Sequence, residues 1–91
     1  MTTNTLTLSK SADCPNKSAD MDEGILYVST DWDVAIHLCP CGCRNEVVTS
    51  LDASGWKFTE SNGLPTLHPS VRNRFECKSH YWVRNGQVIW V

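Results

Sequence analysis

Three cysteines lie within five residues near the middle of the chain, in the stretch Cys39-Pro40-Cys41-Gly42-Cys43. A fourth thiol opens a second stretch, Cys77-Lys78-Ser79-His80, in which a histidine follows the cysteine at the third position. Thiolate sulfur and imidazole nitrogen are the ligands that Zn²⁺ prefers, in tetrahedral sets of four. The proline and the glycine favour a tight turn that brings the sulfurs together. The spacing therefore predicts a zinc ion bound by Cys39, Cys41, Cys43 and Cys77, with His80 as an alternative ligand.

Disulfides and inert thiols are the alternatives to a metal site. Cysteines separated by one residue seldom have the geometry of a disulfide, and the chain has five cysteines, an odd number. Cys14, beside Pro15, has no second ligand near it in the sequence and is interpreted as a bystander. The first residues show no signal-peptide pattern. We therefore expect a reducing compartment and a cytoplasmic protein.

A closed shell of four sulfurs would leave the histidines near the zinc ion free for other chemistry. A serine hydroxyl beside such a histidine is the usual nucleophile and general base of a hydrolase. The candidates are Ser70 with His80, which we expect to face one cleft near the zinc, with Ser79 and His37 as alternates and Asp33 or Glu46 as a third, orienting group. A three-ligand site with a zinc-bound water is a further alternative. Thiolates donate charge to the ion and weaken it as a Lewis acid, so this alternative ranks lower.

The length and the charge of the chain limit the remaining possibilities. Ninety-one residues make one domain with a small core, for which a structural metal is a usual remedy. The formal net charge of −2 argues against nucleic-acid binding. No apolar run approaches the length of a membrane span.

The elements that position these residues are predicted to be short strands, because no stretch has a sustained helical period. Asn85-Gly86 is a strong hairpin signal, and Ser61-Asn62-Gly63 indicates another turn. Pro69 is expected to end a strand or to place it at an edge, and 71–74 to form a helical turn or a loop. We expect a small, mostly β, single domain of about six or seven short strands with a structural zinc site at one end. The predicted strands are 25–28, 34–38, 46–51, 56–59, 66–68, 75–84 and 87–91.

The first 23 residues are rich in Thr, Ser, Asn and Asp and show little apolar periodicity. Leu6 and Leu8 alternate with threonine, which is compatible with a short edge strand. We interpret residues 1–23 as a flexible N-terminal tail and residues 24–91 as a zinc-stabilised β domain. Trp56 and Trp90 are expected to lie in the core of that domain.

Four stretches resemble a small bacterial family labelled domain of unknown function 6527. They are 37–43, Thr66-Leu67-His68-Pro69-Ser70, Cys77-Lys78-Ser79-His80-Tyr81, and Asn85-Gly86 with Ile89-Trp90. Members of that family are small predicted metal-binding proteins, and many are encoded beside bacterial ubiquitin-like proteins and their E1-like and E2-like enzymes. The resemblance implies that this chain belongs to such a conjugation system, with a ubiquitin-like protein or its E1-like and E2-like enzymes as partners.

Two functions fit these observations. The first is a zinc-binding accessory protein that binds a ubiquitin-like protein or its enzymes, as most small thiolate zinc domains are structural. The second is a peptidase that processes or deconjugates the ubiquitin-like protein with a Ser/His pair beside the structural zinc. Four sulfurs on the ion and an unbound histidine within hydrogen-bond reach of a serine would favour the peptidase. A Cys₃His shell without such a serine would favour the accessory protein.

Overall fold

The computed structural model describes residues 4–12 and 20–91, which form two four-stranded β-sheets and no α-helix. This architecture confirms the prediction of a small, mostly β protein. The strands are β1 (Thr7–Ser11), β2 (Ile25–Ser29), β3 (Val34–Leu38), β4 (Glu46–Ser50), β5 (Lys57–Ser61), β6 (Leu64–Arg72), β7 (His80–Arg84) and β8 (Gln87–Trp90). The first sheet has the order β1-β2-β3-β4 and the second β5-β6-β7-β8.

Strand β1 lies within the stretch that the sequence predicts to be a tail, and it brings the strand number to eight. It pairs with β2 in parallel over its whole length. The backbone N–H of Leu6 donates to the Gly86 carbonyl at 2.7 Å, and the Leu6 side chain is only 2 % exposed. The possible edge strand at Leu6 and Leu8 is therefore present, held by both sheets. The division into 1–23 and 24–91 stays a prediction, and Cys14 lies outside the described residues.

The second sheet is a meander whose two hairpins turn at Asn-Gly pairs. Asn62 and Gly63 have φ of 54° and 78°, and Asn85 and Gly86 have φ of 49° and 76°. Positive φ at both central residues defines the turn that matches the twist of a hairpin. The Asn85-Gly86 turn sets the predicted register, in which Trp82 is paired with Ile89.

The prediction that Pro69 ends a short strand or places it at an edge is wrong, because β6 continues through it from Leu64 to Arg72 and lies between β5 and β7. The strand accommodates the proline at a bulge, where the ladder to β7 is interrupted between Leu67 and Val71. Proline cannot donate to a ladder, and a bulge is one of the few places in a sheet that tolerates it. The expected helical turn or loop at 71–74 is likewise wrong at Val71 and Arg72, which belong to the strand. The expected strand at 75–84 is shorter, because its first five residues form the loop before β7.

The core lies between the sheets and follows the alternation of each strand. The buried cluster consists of Leu6, Leu26, Val28, Ala35, Cys39, Val47, Leu67, Val71, Tyr81, Val83 and Val88. Trp56 packs against this cluster as expected. The expectation for Trp90 is wrong, since its side chain is 38 % exposed near the end of edge strand β8. Among the described residues, no helix is long and apolar enough to cross a membrane.

The Gly86 turn gives a first prediction. A Cβ at Gly86 would lie 3.3 Å from the Leu6 carbonyl oxygen and 3.3 Å from Leu64 Cδ2, whereas Gly63 has the same sign of φ and open space. Gly86→Val should therefore destabilise the protein by about 2 kcal/mol or more, and more than the matched variant Gly63→Val, which carries the backbone strain alone. Urea unfolding of both variants measures the difference. An unchanged midpoint for Gly86→Val would show that the turn does not constrain the fold.

Candidate active site and metal centre

The four cysteines of the predicted zinc site converge from the two sheets. Cys39, Cys41 and Cys43 lie in the turn that connects β3 to β4 in the first sheet, and Cys77 lies in the loop that connects β6 to β7 in the second. The turn is closed by a hydrogen bond from the Cys39 N–H to the Asn45 carbonyl at 2.9 Å. An ion bound by all four sulfurs would therefore join the two sheets.

The spacing of the sulfurs fits a tetrahedral ion. The Sγ atoms lie 3.5 Å apart for Cys39 and Cys41, 3.7 Å for Cys39 and Cys77, and 3.8 Å for Cys43 and Cys77, and all four lie within 4.8 Å of one another. A tetrahedron with Zn–S bonds of about 2.3 Å has edges of about 3.8 Å. The four sulfurs could thus hold a metal ion, and these three distances are consistent with zinc.

Polar side chains surround the sulfurs and can donate hydrogen bonds to them. Asn45 Nδ2 lies 3.2 Å from Cys43 Sγ, Ser79 Oγ lies 3.3 Å from Cys77 Sγ, and Asn73 Nδ2 lies 3.5 Å from Cys39 Sγ. Such donors orient thiolate ligands and spread their charge. The sequence gives no signal for these residues, because each donor is defined only by its distance to a sulfur in the folded chain.

The pKa values of the thiols differ within the cluster. Burial raises the pKa of Cys39 to about 12, so this thiol is protonated at neutral pH without a metal ion. Burial acts in the same direction on Cys41, but the backbone N–H of Cys43 and the neighbouring side chains bring its pKa down to about 6. Zinc binds thiolates, so binding to this set would release protons.

His80, the alternative ligand, lies outside the sulfur cluster. Its Nε2 atom forms a hydrogen bond with Ser70 Oγ at 2.8 Å. Both side chains are half-buried, so the pair is packed and still accessible. The two residues that the sequence predicts to share a cleft are therefore in direct contact.

The pairing of β6 and β7 explains this contact. Arg72 is paired with His80 and Val71 with Tyr81, so Ser70 is a diagonal neighbour of His80. Val71 and Tyr81 point into the core, which places Ser70, Arg72 and His80 on the outer face of the sheet. Diagonal neighbours are about 7–8 Å apart at their Cα atoms, a gap that a histidine ring can span.

The alternate nucleophile and the proposed third group lie elsewhere. Ser79 is buried, and its hydroxyl lies near the sulfurs of Cys39 and Cys77. Asp33 lines a cleft beside β2 and β5, and Glu46 begins β4 opposite Leu38. Within residues 4–12 and 20–91, no hydrogen bond joins either carboxylate to His80.

The alternate histidine, His37, lies in the core. Its ring is fully buried, with Nε2 at 2.6 Å from the Tyr81 hydroxyl oxygen, which also accepts from Asn73 Nδ2 at 3.4 Å. Burial lowers the pKa of His37 to about 4, so the ring is neutral at physiological pH. Its Nδ1 atom has no hydrogen-bond partner among the described residues. Since a polypeptide substrate cannot reach this ring, the geometry favours His80 over His37 as a general base.

Two cavities lie near the Ser70–His80 pair, one lined by Pro69 and the other by His80. The larger, of about 770 Å³, lies between the sheets and is lined in part by Trp56, His68 and Pro69, the residue before Ser70. Trp56 also donates from Nε1 to the Ser70 carbonyl at 3.4 Å. The smaller cavity, of about 420 Å³, is lined by Arg72, Asn73, Arg74, Lys78 and His80.

The fold and the site define a small β protein with four clustered cysteines that could hold a metal ion, together with a hydrogen-bonded serine and histidine. The chain belongs to the family described as Bacterial ubiquitination-like system serine protease (BubE), whose model matches residues 11–91. No curated protein and no solved structure matches the chain. The family bears out the expected association with bacterial ubiquitin-like systems and makes partners within such a system plausible, whereas the label domain of unknown function 6527 stays a prediction.

The metal centre gives a second prediction. Elemental analysis of the native protein should find one zinc ion per chain, and chelation should unfold the protein, because the ligands converge only in the folded state. Cys41→Ser and Cys77→Ser should each lose metal and stability together. Cys14→Ser is the matched control and should lose neither. A stable wild-type protein without metal would contradict the assignment.

Proposed function

We propose that this protein is a serine peptidase that processes or deconjugates the ubiquitin-like protein of its system, with Ser70 as nucleophile and His80 as general base. The observation that carries the proposal is the 2.8 Å hydrogen bond between Ser70 Oγ and His80 Nε2. A hydroxyl in contact with an imidazole is the arrangement that activates a serine. The description of the family as serine proteases supports the same chemistry.

The reaction follows from the positions of these two atoms. Nε2 accepts the hydroxyl proton as Ser70 Oγ attacks the scissile carbonyl carbon, so the neutral imidazole carries its own proton on Nδ1. The protonated imidazole then gives its Nε2 proton to the leaving nitrogen as the C–N bond breaks, which leaves an ester on Ser70. His80 then accepts a proton from a water molecule as the water oxygen attacks that ester. The ester bond breaks, Ser70 regains its hydroxyl proton from the imidazole, and the carboxylic acid product is released.

The metal would have a structural role in this mechanism. Four thiolates fill a tetrahedral shell and leave no open position for a water molecule or a substrate. The Cys77 end of the loop lies three residues before His80, so a bound ion would fix the backbone that leads into the general base. Zinc would thereby limit the motion of the imidazole without entering the chemistry.

The accessory-protein alternative has less support. A non-catalytic module gives no reason for the contact between Ser70 and His80, and it fits best with His80 as a fourth ligand in a Cys₃His shell. Cys77 Sγ lies 3.7 Å from Cys39 Sγ and 3.8 Å from Cys43 Sγ, whereas His80 Nε2 forms its hydrogen bond with Ser70 Oγ. This arrangement favours Cys77 over His80 as the fourth ligand. Binding to partners in the system is compatible with the peptidase and does not require a separate function.

The proposal predicts the outcome of three substitutions, read by intact mass after incubation with the ubiquitin-like precursor or conjugate of the system. Ser70→Ala should abolish cleavage, and His80→Ala should reduce it by about 10²–10⁴-fold, with zinc content and melting temperature unchanged in both. Ser61→Ala, in the exposed end of β5, is the matched control and should cleave as wild type does. A fluorophosphonate should label wild-type Ser70 with loss of fluoride, and should not label Ser70→Ala.

Three results would change the assignment. Cleavage by Ser70→Ala would move the nucleophile to Ser79 or to a metal-bound water. Loss of zinc in His80→Ala would make His80 a ligand and would remove the general base. Absence of cleavage by the wild-type protein, together with binding to a partner of the system, would leave the accessory protein as the function.

A further inference from the structure

We propose that the smaller cavity beside His80 binds a carboxylate on the leaving-group side of the scissile bond. The proposal rests on the proposed peptidase function and specifies its substrate class. The ligand is a peptide whose first or second residue after the cut carries a carboxylate, from an acidic side chain or from the chain terminus.

The cavity concentrates positive charge in a protein that is negative as a whole. Its lining contains Arg72, Arg74 and Lys78, three of the eight basic Lys and Arg residues in a chain with net charge −2. The only carboxylate in the loop between β6 and β7 is Glu76, which is exposed and does not line the cavity. An anion bound in this cavity would therefore meet complementary charge, and it would not have to displace a carboxylate of the loop.

These cations have no partner in the part of the chain that the structure describes. The ion pairs there are Lys10 with Glu60 and Arg44 with Glu23. The charged side-chain groups of the three cavity cations donate no hydrogen bond to a described residue. The contacts to the sulfurs come from Asn45, Asn73 and Ser79 instead. The cations are thus available to a ligand. Arginine and lysine bind carboxylates through short, charge-assisted hydrogen bonds.

The position of the cavity relative to the reacting atoms assigns it to the leaving segment. His80 lines the cavity and contacts Ser70, and Arg72 lies directly across the ladder from His80. In acyl transfer the imidazole delivers its proton to the leaving nitrogen, so the leaving segment begins on the imidazole side of the serine. A residue spans about 3.3 Å in an extended chain, so only the first residues of that segment can reach a cavity that His80 itself lines.

The test uses a set of peptides with one acyl portion, the last residues of the ubiquitin-like protein before the cut. The leaving segments are compared in pairs that differ in charge alone. The Asp pair has Asp or Asn at the first or second position after the cut, and the terminal pair has alanine followed by a terminal acid or a terminal amide. Wild-type protein should prefer the carboxylate member of the better pair by at least about tenfold in kcat/KM, mainly through KM. The preference should weaken at high salt. Comparing the Asp pair with the terminal pair distinguishes the two sources of the carboxylate.

Substitutions then link the preference to the cavity. The ratio of kcat/KM for acid over neutral peptides should fall towards one in Arg74→Gln/Lys78→Gln, and in Arg72→Gln as a second variant outside the loop that carries Cys77. Arg84→Gln is the matched control, because Arg84 lies over the Trp82 ring, 5.5 Å from its centroid, and does not line the cavity. It should keep the ratio of the wild-type protein.

Each outcome decides the proposal. Equal cleavage of acid and neutral peptides overturns it and leaves the peptidase standing, and so does a preference that Arg84→Gln removes as well as the cavity variants do. Loss of zinc in all the cavity variants also overturns it, since the cations would then serve to balance the charge of the thiolates. If no peptide is cleaved, the peptidase proposal fails, and calorimetry then measures the binding of the acid and amide leaving peptides to the wild-type protein and to Arg72→Gln. Tighter binding of the acid that requires Arg72 supports carboxylate binding in the cavity. Equal or absent binding overturns it.

Discussion

The mutual proximity of four sulfurs from two different sheets is the constraint on which the rest of the structure depends. Cys39 is a core residue as well as a candidate ligand, and the next residues of its turn bring Cys41 and Cys43 close to Cys77. Four negative charges at this spacing repel one another strongly unless a cation lies between them. A small protein with a limited core can thus use one ion to help hold two sheets together.

The Ser70–His80 pair is connected to this junction by the loop between β6 and β7. The loop begins after Arg72, passes Asn73 and Cys77, and delivers His80 to the first position of β7. Asn73 donates towards both the Cys39 sulfur and the Tyr81 hydroxyl, so the same side chain contacts the metal centre and the core beneath the histidine. The cationic cavity is formed by the same loop. One short segment therefore carries a candidate metal ligand, the proposed general base and most of the proposed ligand cavity.

Much of this arrangement could be predicted from the sequence, because the informative residues act locally. Cysteine spacing indicates a metal, the Asn85-Gly86 pair indicates a hairpin, and alternation places β3 at 34–38, as the structure has it. Pro69 misled the prediction because the bulge that accommodates it is a property of the β6–β7 pairing. The bulge places four steps of β6 against two of β7 before the regular pairing resumes at Val71 with Tyr81, and it thereby sets which residues of β6 lie beside His80. No local pattern specifies such an offset, and the alternation at Leu6 and Leu8 indicates a strand near β1 without specifying its partner, because β2 is distant in the chain.

Strand β1 has a further consequence for the first sheet. The stretch shared with the family begins at residue 11, so nearly all of β1 lies outside it, although β1 covers the whole edge of β2. A chain that began at residue 11 would present the backbone N–H and C=O groups of β2 as an open edge. Open edges accept strands from other molecules. Loss of β1 would therefore move the edge of the first sheet from β1 to β2, and the exposed backbone groups of β2 could then pair with a strand from another molecule.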